Sequence, residues 1–392
     1  MFNNYQKEKI MKFFKYLFVL LSLILIVSCG GEEDDYDGDT PSGGDGENDQ
    51  GNNNKAKEWE INLEKSSFQK IAFGQNDIIY AAGYTKDNLY GELSGSGVDD
   101  PFLLALNTKG EKLWGKQWGV PVVHSSHNYI SGLSVDTNGN IYITILANPA
   151  IYKFSPDGAK IWEIFPSIEN GKILTLTLDK YNNLFTGSDD KIIDIVKYSD
   201  QGKELQNYNI SGDASNPTTS YTSINALVVD SEGNIYAGGS TSGSLFAENA
   251  GNSDAFLVKI APDGTQLWGK QWGNTKTNTI DDMKIDDRNN IYVVGYAEGD
   301  AEIFSKFDSN GNKIWEHTED YTRIAICQEN IYVVNGYKKN GQVDKYNLNG
   351  EYIAGSTVFE NEIFGNVACD SKGDVYAVKE GALIKFAPSD FK

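Results

Sequence analysis

Two stretches of this chain are near-copies: residues 100–119 read DPFLLALNTKGEKLWGKQWG and residues 254–273 read DAFLVKIAPDGTQLWGKQWG. Internal repetition constrains the fold more than any other feature, because a unit that cannot bury its apolar face alone must stack on its neighbours. Shorter echoes fill the rest of the chain. GNIYITI (139–145), GNIYAGG (233–239), NNIYVVG (289–295), ENIYVVN (329–335) and GDVYAVK (373–379) are one element, and KFSPDGAKIW (153–162) and KFDSNGNKIW (306–315) are another.

Within each unit the aromatic and β-branched residues alternate at period two, which predicts strands and not helices. A short apolar strand leads into an Asp-x-x-Gly-Asn turn, whose Gly supplies a positive φ. A Tyr-centred strand, a Lys-Phe strand, a second Asp-Gly turn and a Trp-bearing strand follow. The Tyr position recurs as Tyr80, Tyr142, Phe185, Tyr236, Tyr292, Tyr332 and Tyr376, seven markers over residues 57–392. The fourth-strand marker appears only as Trp114, Trp162, Leu205, Trp268, Trp315 and Tyr352, so the last unit stops one strand short. Lys57-Glu58-Trp59-Glu60-Ile61 resembles Lys160-Ile161-Trp162-Glu163-Ile164, and as a lone edge strand it would be an aggregation liability. The expectation is an all-β, seven-bladed β-propeller of four-stranded blades over 57–392, its ring closed by the N-terminal strand. An open β-solenoid is the alternative, and it leaves the displaced strand unexplained.

The pattern D-x-x-G-N-I-Y followed by D-A-F-L-V-K-x-x-P-D-G-x-x-x-W resembles the bacterial beta-propeller repeat known as the SBBP repeat. Residues 68–119 and 223–273 match it best; the other units lack the full D-A-F-L box. The resemblance implies a propeller fold and export, not an activity. The Trp-ending strands also resemble quinoprotein propellers and the outer-membrane assembly lipoprotein, but the Ala-x-Asp-x-x-Thr-Gly signature of those repeats is absent.

The N-terminus reads as an address. Lys7, Lys9, Lys12 and Lys15 precede an apolar run from Tyr16 to Val27, about half the length that spans a bilayer. The start is Met1 or Met11. The run ends Ile26-Val27-Ser28-Cys29, which resembles a bacterial lipobox and predicts a signal peptide over 1–28 with acylation of Cys29. Residues 29–56 then form an acidic linker expected to be disordered, with nine acids and one base between 30 and 55. The acyl chains on Cys29, not charge, would hold so acidic a protein at the membrane.

Composition excludes more than it assigns. The formal net charge is −21 and only Arg288 and Arg323 are arginines, which removes nucleic acid as a partner. No phosphate loop or nucleophile elbow is present. The Asp-rich turns are too short for an EF-hand loop and read as turns whose Asp bonds its own backbone. His124 and His127 offer no third and fourth metal ligands, and no metal or other cofactor is expected. Cys327 and Cys369 occupy neighbouring units, and are expected as two buried free thiols too far apart to bridge.

These features predict a monomeric, non-enzymatic binding or scaffolding lipoprotein of the bacterial cell envelope, in the outer membrane and facing either side of it. Its ligand, a protein or a glycan, would sit on the rim that carries the loop insertions, at Tyr84, Tyr90, His124, His127 and Phe246. The alternatives are an envelope-assembly propeller and a glycan-active enzyme.

Overall fold

The computed structural model describes residues 57–391, apart from 92–98, 121–127, 147–148, 167–171, 191–192, 211–220, 300–302 and 337–340. The signal peptide, Cys29, the acidic linker, His124 and His127 lie outside the described residues.

Strands follow one another as four-strand antiparallel meanders. The first is β1 (Lys57–Phe73), β2 (Ile79–Thr85), β3 (Asp100–Leu106) and β4 (Lys112–Gln117). Then come β5 (Ile130–Val135), β6 (Ile141–Ile145), β7 (Ala150–Phe154) and β8 (Lys160–Ile164). Next are β9 (Ile173–Leu178), β10 (Leu184–Asp190), β11 (Ile193–Tyr198) and β12 (Glu204–Ile210). The fourth group is β13 (Thr222–Val229), β14 (Ile235–Thr241), β15 (Asp254–Ile260) and β16 (Gln266–Trp272). β17 (Asn278–Ile285), β18 (Ile291–Ala297), β19 (Phe304–Phe307) and β20 (Lys313–His317) follow. The chain continues through β21 (Arg323–Cys327), β22 (Asn330–Val334), β23 (Val343–Asn347) and β24 (Tyr352–Gly355), and ends with β25 (Phe364–Cys369) and β26 (Val375–Phe386).

The expectation of seven separate four-stranded blades is corrected by the strand order. The ladders form five sheets, of which β5–β8, β17–β20 and β21–β24 are simple four-stranded ones. β1 serves two ladders at once: Trp59 to Asn62 pair with Lys385 to Ala382 of β26, and Ser66 to Phe73 pair with Thr85 to Ile79 of β2. That sharing fuses β25, β26 and β1–β4 into a six-stranded sheet. Asp189 and Asp190 of β10 pair with Ser223 and Thr222 of β13, which fuses β9–β16 into an eight-stranded one. Repeat counting places Lys57–Ile61 beside the last unit, but it registers neither the unbroken run of that segment into the strand that pairs with β2 nor the β10–β13 bridge, because both depend on backbone pairing between units.

The first strand of each meander faces the next. β1 packs on β5, β5 on β9, β9 on β13, β13 on β17, β17 on β21, β21 on β25, and β25 back on β1, so these inner strands enclose a central space. The core lies between adjacent units: Tyr80, Leu103 and Ala105 pack with Ile130, Ile143 and Tyr152, for example.

The Tyr markers are fixed by a recurring turn. Asp136 Oδ1 accepts the N–H groups of Asn138 and Asn140, and its Oδ2 accepts the Asn140 amide and the Tyr142 hydroxyl. Asp230 and Asp286 hold Tyr236 and Tyr292 in the same way, and Asp370 holds Tyr376 without the amide bond because Asp374 stands in place of the Asn.

The cysteines depart from expectation. Cys327 and Cys369 form a disulfide with Cα atoms 6.0 Å apart, tying β21 to β25. The inner strands of neighbouring units converge on the central space, which brings the Cα atoms within bridging range.

Candidate binding site in the enclosed space

Several inner strands carry a bulge at one place. The β1–β2 register slips between Phe68 and Lys70, β5–β6 between Ile130 and Gly132, β13–β14 between Ile224 and Ala226, and β17–β18 between Ile280 and Asp282. A bulge re-aims side chains. Phe68 and Ile71 are buried, while Gln69 and Lys70 between them are only half-buried. The freed polar groups lace the inner strands together. Gln69 Oε1 accepts the Ile130 N–H at 2.6 Å, Asn225 Nδ2 donates to the Ile280 carbonyl at 2.9 Å, and Asp282 Oδ2 accepts the Ile324 N–H at 3.1 Å.

At this level the charges of Lys70, Lys284, Arg323 and Asp282 act on one another. Lys70 of β1 interacts across the enclosed space with Asp282 and Lys284 of β17 and with Arg323 of β21. Lys284 Nζ lies 2.8 Å from Asp282 Oδ1. Arg323 donates from Nη1 to the Thr322 carbonyl at 2.6 Å, while its buried Nε–H has no acceptor among the described residues. Desolvation, helped by the Arg323 charge, lowers the Lys70 pKa to about 7. Burial opposes ionisation of Asp282, but Lys284 and Arg323 hold its carboxyl below the usual range. Among the described residues that act on Lys70, the cations Lys284 and Arg323 outnumber the carboxylate of Asp282, inside a strongly acidic protein. An anionic group entering it would meet Arg323 and Lys70 with little competition from Asp282, which is already engaged.

The residues expected on the insertion-bearing rim are spent differently. Tyr84 is 7% exposed and packs edge-on against Tyr129. Tyr90 lies on Gly115, where a Cβ would meet its ring at 2.4 Å, and Phe246 lies on Gly269 with the corresponding distance 2.3 Å. Gln117 Oε1 accepts the Leu89 and Tyr90 N–H groups, and Gln271 Oε1 accepts those of Leu245 and Phe246. Both insertions are therefore pinned to outer strands, β4 and β16, in different sheets, with one edge of Phe246 open to a groove beside Trp272 and Phe307.

No motif in the sequence singles out Lys70, Asp282 or Lys284, and Arg323 stands out there only as one of two arginines. A signal existed: Lys70, Asp282 and Arg323 put charges where other inner strands carry the small residues Gly132, Thr175 and Ala226. No group of His, Cys, Asp and Glu among the described residues could hold a metal ion.

The family described as beta-propeller repeat (SBBP) matches residues 216–247, which include all of β13 and β14. Among solved structures, the β-propeller domain of Cps50 (Swd1) from Myceliophteria thermophila is 10% identical, with a TM-score of 0.57 over 83% of this chain and 97% of that one. The chain is a β-propeller. A catalytically inactive virginiamycin B lyase from Staphylococcus aureus, solved with quinupristin, is 11% identical, with a TM-score of 0.58 over 84% of this chain and 98% of the lyase. Raptor from Chaetomium thermophilum is 10% identical with a TM-score of 0.60, covering 85% of this chain and 29% of Raptor. No curated protein sequence matches it. Likeness at this identity carries the fold and leaves function to the site.

Proposed function

We propose that this propeller is an exported, lipid-anchored binding module of the bacterial cell envelope, non-enzymatic, which seats an acidic group of a glycan or protein ligand among Lys70, Lys284 and Arg323. The observation that carries the ligand chemistry is the buried Arg323 Nε–H, which has no acceptor among the described residues and lies beside two further cations. A buried donor left unpaired costs about 1–3 kcal/mol, which a carboxylate on the ligand would recover. Export is supported by the Cys327–Cys369 disulfide, since such bonds persist in oxidising compartments, and by the basic and apolar lead ending at Cys29. The one carboxylate of the cluster, Asp282, accepts from Lys284 and from the Ile324 N–H, and so is poorly placed to act as a base.

Calorimetric titration with an oligogalacturonate, alongside its uncharged methyl ester, tests the reading. The acid should bind more tightly than the ester, and Arg323→Met should weaken it by at least tenfold without lowering the melting temperature. Equal binding of acid and ester, or an unaffected Arg323→Met variant, rules the cluster out.

A further inference from the structure

One turn of the propeller has lost its carboxylate and kept the Tyr and the Lys that normally face it. In the β5–β6, β13–β14 and β17–β18 turns the Asp at the head of the turn accepts the Tyr hydroxyl two residues after the turn's Asn. A strand Lys lies over the same Tyr ring, with Lys153, Lys259 and Lys306 Nζ at 4.9, 4.9 and 4.8 Å from the ring centroids. Lys153 and Lys259 also approach the Asp oxygen, at 3.8 and 3.6 Å.

Between β21 and β22 the chain reads Cys327-Gln328-Glu329-Asn330. Cys327 pairs with Asn330 across the turn, the place held by Asp136 opposite Asn140. The seat of the carboxylate is thus given to a sulfur that is drawn away into the disulfide with Cys369. Tyr332 remains, 5% exposed, and Lys345 Nζ remains 5.6 Å above its ring. No carboxylate among the described residues meets either one, and burial alone raises the Tyr332 pKa, with none of the Asp contribution that Tyr142 and Tyr236 feel. A cavity of about 210 Å³ opens there, lined by Asn330, Tyr332, Lys345, Lys372, Phe386 and Phe391. Asp374 also reaches it but is bound to Lys385 at 2.9 Å, so it does not neutralise Lys345.

We infer that this cavity binds a small carboxylate-bearing molecule. Its carboxylate takes the place of the missing Asp, accepting from Tyr332 and Lys345, and its apolar part lies on Phe386 and Phe391. The site is separate from the Arg323 cluster and does not depend on that reading.

Benzoate is the probe, with benzamide as its uncharged counterpart, titrated into the mature full-length protein and followed by calorimetry. Benzoate should bind saturably and at least tenfold more tightly than benzamide. Lys345→Met and Tyr332→Phe should each weaken it, the former by at least tenfold, with melting temperatures held and with Arg323→Met binding benzoate as the parent does. Absence of saturable benzoate binding, equal affinity for benzamide, or unchanged affinity in both Lys345→Met and Tyr332→Phe overturns the inference.

Discussion

The indole of Trp59 rests on Gly110: a Cβ on that glycine, whose φ is +80°, would lie 3.1 Å from the ring, and Trp59 Nε1 donates to the Thr108 carbonyl at 3.1 Å. Trp114 meets Gly158 and the Pro156 carbonyl in the same way, as do Trp162 with Gly202 and Asp200, Trp268 with Gly311 and Ser309, and Trp315 with Gly350 and Leu348. Each fourth-strand Trp thus clamps the turn of the next unit, and the glycine is required twice over, for its φ and for the space. The N-terminal strand takes part in this series although it lies at the opposite end of the chain from β26.

Trp59→Ala should therefore destabilise the propeller by about 3 kcal/mol, the low end for losing a large aromatic because the ring is only half-buried. Gly110→Ala, strained in φ and against the indole, should cost about 1–2 kcal/mol. Equilibrium denaturation of the two variants and their double mutant checks this. Additive losses would mean that the two residues do not act as one contact.

The disulfide makes a second prediction. It closes a loop with a sequence separation of 42, so chain entropy alone assigns it about 4 kcal/mol. Reduction, or replacing both Cys327 and Cys369 by Ala, should lower the melting temperature by several degrees. Thiol labelling of the unreduced, denatured protein should find neither cysteine. Labelling at both would restore the free-thiol expectation.

How much of this was legible beforehand depends on whether a feature repeats. Tyr142 and Trp162 recur in register because every unit needs them, so strand order and the pairing of Trp59 with β26 were readable from spacing. The division into five sheets was not, since it turns on β1 serving two partners and on the Asp190–Thr222 bridge. The disulfide is not legible from spacing, because Cys327 and Cys369 lie in neighbouring units and their approach depends on which repeat position each one holds. Cys327 in fact stands opposite Asn330, where other units carry Asp, while Cys369 stands opposite Val375. Lys70 and Arg323 were passed over for a related reason: they break the repeat inside strands, where packing hides the departure.

Lys70 makes stability depend on pH. Its folded pKa of about 7 lies below the ordinary 10.5, so between those values the unfolded chain holds a proton that the folded chain has released. Stability should accordingly rise with pH across that window and level off below pH 7, where both states are protonated. Lys70→Met should remove this part of the rise, as measured by denaturation at pH 6.5 and 9.5. An anionic ligand among Lys70 and Arg323 should bind more tightly as pH falls through 7, because binding and protonation of Lys70 favour each other.

Acylation of Cys29 is expected from the Ile26–Cys29 sequence. Mass spectrometry of the mature protein should find its N-terminus at Cys29 with acyl chains, and Cys29→Ala should leave the protein unprocessed or release it from membranes. A mature N-terminus at another residue, unmodified, removes the anchor.

The last prediction concerns the turn that kept its carboxylate. Asp136 and Lys153 are 6% and 4% exposed, and Lys153 also donates to the Asp200 carbonyl of the next unit. Asp136→Ala removes the acceptor of two backbone N–H groups, of the Asn140 amide and of Tyr142, and leaves Lys153 charged and buried. Breaking a buried pair from one side costs about 3–5 kcal/mol. Combining Asp136→Ala with Lys153→Met should recover part of that loss, because the uncompensated charge goes with the lysine. Tyr332 and Lys345 show that the fold tolerates a turn without its Asp where Lys345 opens onto a cavity rather than being sealed beneath the next unit. If Asp136→Ala unfolds with the same midpoint as the parent, the carboxylate is not what holds Tyr142 and Lys153, and the equivalence drawn between this turn and the vacant seat at Cys327 loses its basis.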